Sequence, residues 1–276
     1  MRILIAGCGD VGSILAISLL RDGHTVYGLK RDTSSLPEGV LPIVADLTNL
    51  DTLKDLPEQI DTLVFMPTPA RRDQAAYEAI FIEGWKNIWA SLKQPPLRTL
   101  LVSSTAVYGA SQNELLTEET VPEPDSFNGK VLLQMERHAA RCTDNLVVVR
   151  FSGIYGPGRE YLIRLAASPG LEVQKSPPDF TNRIHSHDAA AVLKYLMKAD
   201  HPQGLYLATD NEPAPRFEVL EWLAKAQGKP APIGLVDQHS GGGKRISNKR
   251  LRDDGFSLSY PDYRAGYGAI LKKWTK

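Results

Sequence analysis

The stretch RILIAGCGDVGSILAISLLRDG, residues 2–23, decides the fold. Its first five residues form the short apolar run of a buried strand, and the apolar run from Ser13 onward has helical spacing. Between them Gly7, Gly9 and Gly12 spell GxGxxG. Three glycines alone are a weak signal, but a strand before them and a helix after them supply the required context. Gly7 permits the tight turn, Gly9 lets the backbone approach a pyrophosphate, and Gly12 lets helix and strand pack closely. The helix N-terminus adds free N–H donors and the positive end of a dipole. Gly7, Gly9 and Gly12, with Asp10 and Val11 between them, are therefore candidates for holding a dinucleotide.

Outward from this turn the chain keeps alternating. HTVYGLKR (24–31), PIVADLTN (42–49), DTLVFMPT (61–68), LRTLLVSSTAVYG (97–109) and NLVVVRFSGIYG (145–156) read as strands running into loops. Helical runs follow at 74–92 and 126–142. Short strands alternating with helices predict an α/β fold with a parallel sheet, doubly wound by right-handed crossovers. Beyond about residue 156, PGRE, SPG, SPPDF and NEPAPRF bring Pro, Gly and charge. Helices are expected at 186–199 and 216–228, a strand at 204–210, and a glycine-rich loop at 239–248. We divide the chain into a nucleotide-binding domain, 1–155, and a smaller C-terminal α/β substrate region, 156–276, partly interleaved with the first.

Composition narrows the partners. With 276 residues, 32 Lys and Arg against 32 Asp and Glu, and no net charge, nucleic acid is not expected as a partner. No apolar run reaches the ~18 residues of a membrane span, so none is expected at a membrane. Two cysteines, Cys8 and Cys142, form no disulfide framework and suggest a reducing cytoplasm. No Cys/His cluster has metal spacing; His185, His187 and Asp188 read as a polar loop.

The strand ends carry the specificity. Lys30 and Arg31 close the second strand, where an acidic residue would select NAD. Two cations suit the 2′-phosphate of NADP, and the fork of Arg31 can also stack on adenine. Asp32 keeps NAD open as an alternative. Asp46, after the third strand and beside Leu47, is placed either to accept from the adenine amino group or to cap the next helix. Met66 and Pro67, which follow the fourth strand, are candidate cofactor contacts. Ser103, Ser104 and Thr105 end a buried strand, where hydroxyls face the ligand crevice.

Four segments, in order, resemble the extended short-chain dehydrogenases/reductases of the NAD-dependent epimerase/dehydratase type: GCGDVG (7–12), VADLTN (44–49), VSSTAVYG (102–109) and VVRFSGIYGPG (148–158). IFIEGWKNIWASL (80–92) and RIHSHDAA (183–190) are weaker matches. The resemblance implies a Rossmann-like domain with a seven-stranded sheet, a small C-terminal substrate domain, a small-molecule substrate and often a homodimer. It also implies that Ser104, four positions before Tyr108, holds the substrate oxygen, with Thr105 beside it; Ser103, from its place at the strand end, is a candidate cofactor contact.

The resemblance further implies a Tyr-x-x-x-Lys pair on a later helix, the tyrosine transferring the proton and the lysine lowering its pKa. SFNGKVLLQMER (126–137) is that helix, and no tyrosine occurs from 109 to 154. Two registers are open. Lys130 can take the lysine position, with Ser126 at the tyrosine. Alternatively Glu136 matches the acidic residue four after the lysine, which puts Leu132 at the lysine and Asn128 at the tyrosine. Asn128 can hydrogen-bond but cannot transfer a proton at ordinary pH. Ser126 most simply caps the helix. Ser104 and Lys130 are thus the catalytic candidates, with Thr105, Asn128, Arg159 and Arg183 toward substrate, the arginines as anion clamps. His185 is a candidate acid or base. The basic loop 241–250, with Lys244, Arg245, Lys249 and Arg250, reads as solvated. Two functions stay open: an NADP-binding oxidoreductase or epimerase-like enzyme acting on a small anionic or sugar-derived substrate, and a catalytically silent NADP-binding sensor.

Overall fold

The computed structural model describes residues 1–109, 115–236 and 242–274. In chain order the elements are β1 (Arg2–Ala6), α1 (Asp10–Arg21), β2 (Thr25–Lys30), β3 (Leu41–Val44), β4 (Thr62–Phe65), α2 (Gln74–Tyr77), a π-helical turn (Glu78–Glu83), α3 (Gly84–Ser91), β5 (Arg98–Ser104), β6 (Leu115–Leu116), α4 (Phe127–Ala140), β7 (Leu146–Phe151), β8 (Gly153–Tyr155), α5 (Tyr161–Ala166), β9 (Glu172–Ser176), β10 (Phe180–Thr181), β11 (Arg183–His185), α6 (Ser186–Lys198), β12 (Leu205–Ala208), β13 (Ala214–Pro215), α7 (Arg216–Ala226), β14 (Ile233–Val236), β15 (Arg245–Ile246), α8 (Lys249–Asp253) and α9 (Tyr263–Trp274).

Seven strands form one sheet in the order β12-β7-β5-β4-β1-β2-β3. β1 pairs in parallel with β2 and β4, β2 with β3, and β4 with β5. Ile3, Leu4, Ile5, Leu63, Val64 and Phe65 are fully buried, as expected for parallel strands covered on both faces. The chain runs outward from β1 through β2 to β3, then returns across β1 to β4 and β5. That reversal puts the switch point between β1 and β4. Gly7 leaves the carboxyl end of β1 there, and Met66–Pro67 leave that of β4.

The residues fall into two compact units. The first comprises Met1–Tyr108, Pro122–Arg150 and Ala190–Tyr206; the second comprises Gly109–Val121, Phe151–Ala189 and Leu207–Lys276. The second has its own core, in which Tyr155, Ile163, Phe217, Leu220, Tyr263 and Tyr267 pack together. β8 pairs with β11, and β9 with β14, as separate two-stranded sheets.

Three local expectations are corrected. The run 74–92 is not one α-helix, because a π-helical turn over Glu78–Glu83 interrupts it. Ser126 occupies the N-cap of α4, yet its hydroxyl makes no capping bond. The Pro/Gly-rich C-terminal third holds two helices absent from the sequence reading, α8 and α9.

Candidate functional site

The β1–α1 turn is built for a close approach. Gly7 has φ +90°, and a Cβ there would lie 2.5 Å from the Pro67 Cα, so any other residue would be strained and would collide with the β4 loop. A Cβ at Gly9 would meet only the Gly7 carbonyl, at 4.0 Å. Gly9 is also the N-cap of α1 and, having no side chain, makes no capping bond. The N–H groups at the start of a helix suit an anion. Val11 and Gly12 are buried behind the turn and Asp10 is exposed. A Cβ at Gly12 would lie 3.3 Å from Ile5 and 3.5 Å from the Met66 sulfur, the tight helix–strand packing expected of the third glycine.

A cavity of about 360 Å³ opens at this turn. Gly7, Gly9, Lys30, Arg31, Asp46, Leu47 and Pro67 line it, which unites most of the cofactor candidates. Its apolar wall is Ala76, Ala79 and Ile80, which the sequence reading did not single out. Their helical spacing was the available signal, but the π-helical turn that carries Ala79 and Ile80 was not legible.

At the end of β2, Lys30 donates through Nζ to Ser35 Oγ at 2.8 Å, while Arg31 is exposed. Asp32 accepts from the Ser34 amide at 2.9 Å, and hydrogen bonds from Ser34 hold its carboxyl below the ordinary range. Asp46 Oδ1 accepts from both the Thr48 amide (2.9 Å) and hydroxyl (2.8 Å). Burial works to raise the Asp46 pKa, but these bonds and the Arg31 charge outweigh it and leave the group below its usual value. A carboxylate so held is an acceptor at neutral pH. Burial, the largest influence, pushes the Cys8 thiol up.

The carboxyl end of β5 joins α4. Ser103 is buried and its hydroxyl donates to Glu136 Oε1 at 2.5 Å. Ser104 is half-buried and its Oγ accepts from the Ala106 amide at 3.1 Å, which leaves its own proton available for donation. Thr105 is also half-buried. On α4, Lys130 is exposed, Asn128 half-buried and Leu132 buried. Glu136 is buried in a bidentate pair with Arg150, with Nη2 to Oε2 at 2.6 Å and Nε to Oε1 at 3.0 Å. Arg150 Nη1 also donates to the Tyr108 hydroxyl at 2.6 Å. The Glu136–Arg150 pair was missed as an ion pair; a lone arginine inside the apolar run VVVRF was its signal.

The second unit holds the remaining candidates. Arg159 is exposed. Arg183 is half-buried, with Nε buried and unpartnered, and a Cβ at Gly153 would lie 2.7 Å from its Nη1. His185 is buried, its ring 3.9 Å from that of Tyr260 and edge-on to Tyr155, and its Nδ1 accepts from the His187 amide. Asp188 is buried and accepts from the Ser259 and Tyr260 amides, both at 2.9 Å. Asp210 is 1% exposed and leaves Oδ2 without a partner; burial above all pushes its pKa up to about 8. Of the basic loop, Gly241 lies outside the described residues. Lys249 pairs with Asp253, Arg250 pairs with Glu119, and Arg245 stacks over Phe180. Lys249 and Arg245 remain exposed, as expected of a solvated loop, and Arg250 is half-buried. Among the described residues no group of three His, Cys, Asp or Glu could hold a metal ion. No described helix is long and apolar enough to cross a membrane.

A parallel, doubly wound sheet with a glycine turn at its switch point and a cavity beside it defines a Rossmann-like nucleotide-binding protein. Residues 3–203 match the NAD dependent epimerase/dehydratase family, and the chain belongs to that family. A 3-diazoavenalumate denitrifying reductase from a Streptomyces species is 26% identical, the match covering 97% of this chain and 99% of the relative. A Methylobacillus flagellatus protein of known structure, assigned as an NAD-dependent epimerase/dehydratase, is 40% identical with TM-score 0.86, covering 100% of this chain and 99% of that one. The Thermus thermophilus UDP-glucose 4-epimerase, solved with NAD, is 19% identical with TM-score 0.81 over 100% of this chain and 99% of its own; at that identity the likeness is one of fold.

Proposed function

We propose that this chain is an NADP(H)-dependent oxidoreductase of the family, acting on a small anionic or sugar-derived substrate without the Tyr-x-x-x-Lys pair. The carrying observation is the cavity that joins the uncapped α1 N-terminus to Lys30 and Arg31. The Gly7–Gly9 turn would hold the pyrophosphate, Lys30 and Arg31 the 2′-phosphate, and Asp46 and Leu47 the adenine. A nicotinamide cofactor bound there supplies a hydride donor or acceptor. The Streptomyces relative, itself a reductase, supports that class of reaction.

The chain's own contribution is hydrogen bonding. Ser104 offers its proton to a substrate oxygen, and Asn128 offers an amide. The buried Glu136 supports the register that puts Asn128 and Leu132 at the tyrosine and lysine positions, and Lys130 is then a helix-surface cation. Arg159 and Arg183 are assigned to an anionic substrate group, and the substrate region is taken as 156–276. Calorimetric titration with NADPH and NADH tests the reading: NADPH binds more tightly, and equal or tighter NADH binding rejects the preference.

The absence of tyrosine from 109 to 154 favours one second reading, a silent NADP-binding sensor. It predicts NADPH binding with no oxidation of NADPH by any of a panel of small keto acids, aldehydes and diazo compounds.

A further inference from the structure

Ser104 and Thr105 sit in a stretch of chain that is pinned on both sides. On one side Ser103 donates to Glu136 at 2.5 Å; on the other the Tyr108 hydroxyl accepts from Arg150 at 2.6 Å. Glu136 and Arg150 are themselves joined, with side chains 7% and 6% exposed. One ion pair therefore closes a loop of contacts around residues 103–108, recruiting α4 for the carboxylate and β7 for the guanidinium. The middle of the stretch is held as well: a Cβ at Gly129 would overlap the Ala106 carbonyl oxygen, so the first turn of α4 rests on that backbone. Gly129 and Glu136 are seven residues apart and share one helix face. Asn128 stands next to the first contact, and Leu132 lies between the two.

We propose that Glu136 and Arg150 are positioning residues that hold Ser104 and Thr105, and with them the Asn128 turn of α4, in fixed register. Their part in the reaction rests on the reading above that Ser104 meets the substrate. Stability does not explain the pair. Two buried charges lose hydration, and apolar residues of similar volume commonly replace such a pair with no loss, whereas removing one partner strands the other. A bidentate fork with its remaining contacts made to Ser103 and Tyr108 fixes direction in a way apolar packing does not.

The test separates order from stability in the full chain. Glu136→Gln, the double variant Glu136→Leu with Arg150→Met, and Ser103→Ala are compared with wild type by urea midpoint and by native-state hydrogen exchange of residues 103–108. The double variant also removes the partners of the buried Ser103 and Tyr108 hydroxyls, so its midpoint is expected to fall somewhat, while residues 103–108 exchange at least ten-fold faster than that loss of global stability accounts for. Ser103→Ala, which leaves the ion pair intact, should speed exchange at 104–106 with little change in midpoint. Wild-type exchange at 103–108 in the double variant would overturn the proposal. Should the double variant fold poorly, Glu136→Gln and Ser103→Ala decide: exchange at 103–108 that only tracks global unfolding in both also overturns it. NADPH titration of wild type is run alongside. Its failure would reject the cofactor reading and leave the exchange result standing as a test of the clamp.

Discussion

Replacing Asp210 by Asn should make the protein less sensitive to alkali. The Asp210 carboxyl is buried beside the aromatic core of the second unit. Burial is the largest influence on it; the charges of Glu212 and Asp262 act in the same direction, against the Glu212 amide and the Arg183 charge. Its pKa rises from 3.8 to about 8. The folded state therefore keeps a proton that the unfolded chain releases near pH 4. By linkage the favourable contribution is complete below the unfolded pKa, declines between about 4 and 8, and is gone above the folded pKa. The limiting slope is about 1.4 kcal/mol per pH unit. Over the three units from the unfolded value to pH 7 it reaches about 4 kcal/mol, a large part of the ~5–15 kcal/mol of a typical domain. Asn copies the shape and neutrality of the protonated acid and keeps the oxygen that accepts from the Glu212 amide at 3.3 Å. Urea unfolding of both proteins at pH 5, 6, 7, 8 and 9 should show the variant gaining on wild type by nearly the limiting slope, about 1.3 kcal/mol per unit, to pH 7, then levelling past pH 8. Subtraction cancels the other titrating groups, including Asp188, which burial also pushes up. A difference that is flat with pH, or that shrinks as pH rises, refutes the reasoning.

Arg31→Ala should weaken NADPH roughly ten-fold or more and leave NADH nearly unchanged, since a hydrogen bond between charged groups contributes about 1.5–3 kcal/mol; equal losses for both cofactors in calorimetry would remove Arg31 from the 2′-phosphate. Gly7→Ala should abolish binding of either cofactor, and lower the urea midpoint, because its Cβ meets Pro67 at a backbone angle that alanine rarely adopts; wild-type affinity would show that the turn is not the pyrophosphate site. Asn128→Tyr with Leu132→Lys should create the family's pair and add a basic limb to a pH–rate profile for carbonyl reduction, at a cost in stability because residue 132 is buried. A cofactor-bound structure with residue 130 against the nicotinamide ribose would contradict that register.

What could be read from the chain divides by chemistry. GCGDVG was legible because backbone geometry leaves no choice at Gly7, where the φ of +90° and the contact with Pro67 exclude every side chain. β1 and β4 were legible because strands covered on both faces must be apolar throughout. Lys30 and Arg31 could be placed beside the turn because they stand at the end of an apolar strand, and both line the cavity there. The π-helical turn over 78–83 was not, since one added residue per turn leaves the helical apolar spacing almost intact. α9 was missed because Tyr263, Tyr267 and Ile270, although buried, stand in a segment rich in glycine and lysine that weakens the pattern. The pairing of Glu136 with Arg150 lay out of reach for another reason: sequence shows that two charges occur in apolar surroundings, and only the fold shows that they meet.

The same division bears on the missing tyrosine. The turn at the switch point is made largely of backbone, from Gly7, Gly9 and the N-terminus of α1, and does not depend on which side chains stand at the end of β5. On the function proposed above, the reacting end would be made of side chains on β5 and α4, so changes at 128 and 132 would alter the chemistry and leave the glycine turn as it is. A site that had merely decayed would have little need of a desolvated ion pair joined to Ser103 and Tyr108, because apolar residues often replace such a pair without loss. Seated by Gly129 at one end and by Glu136 at the other, α4 holds Asn128 next to a contact with the Ser104 turn. On the function proposed above, that arrangement would present hydrogen-bond donors in fixed places to the group that takes the hydride.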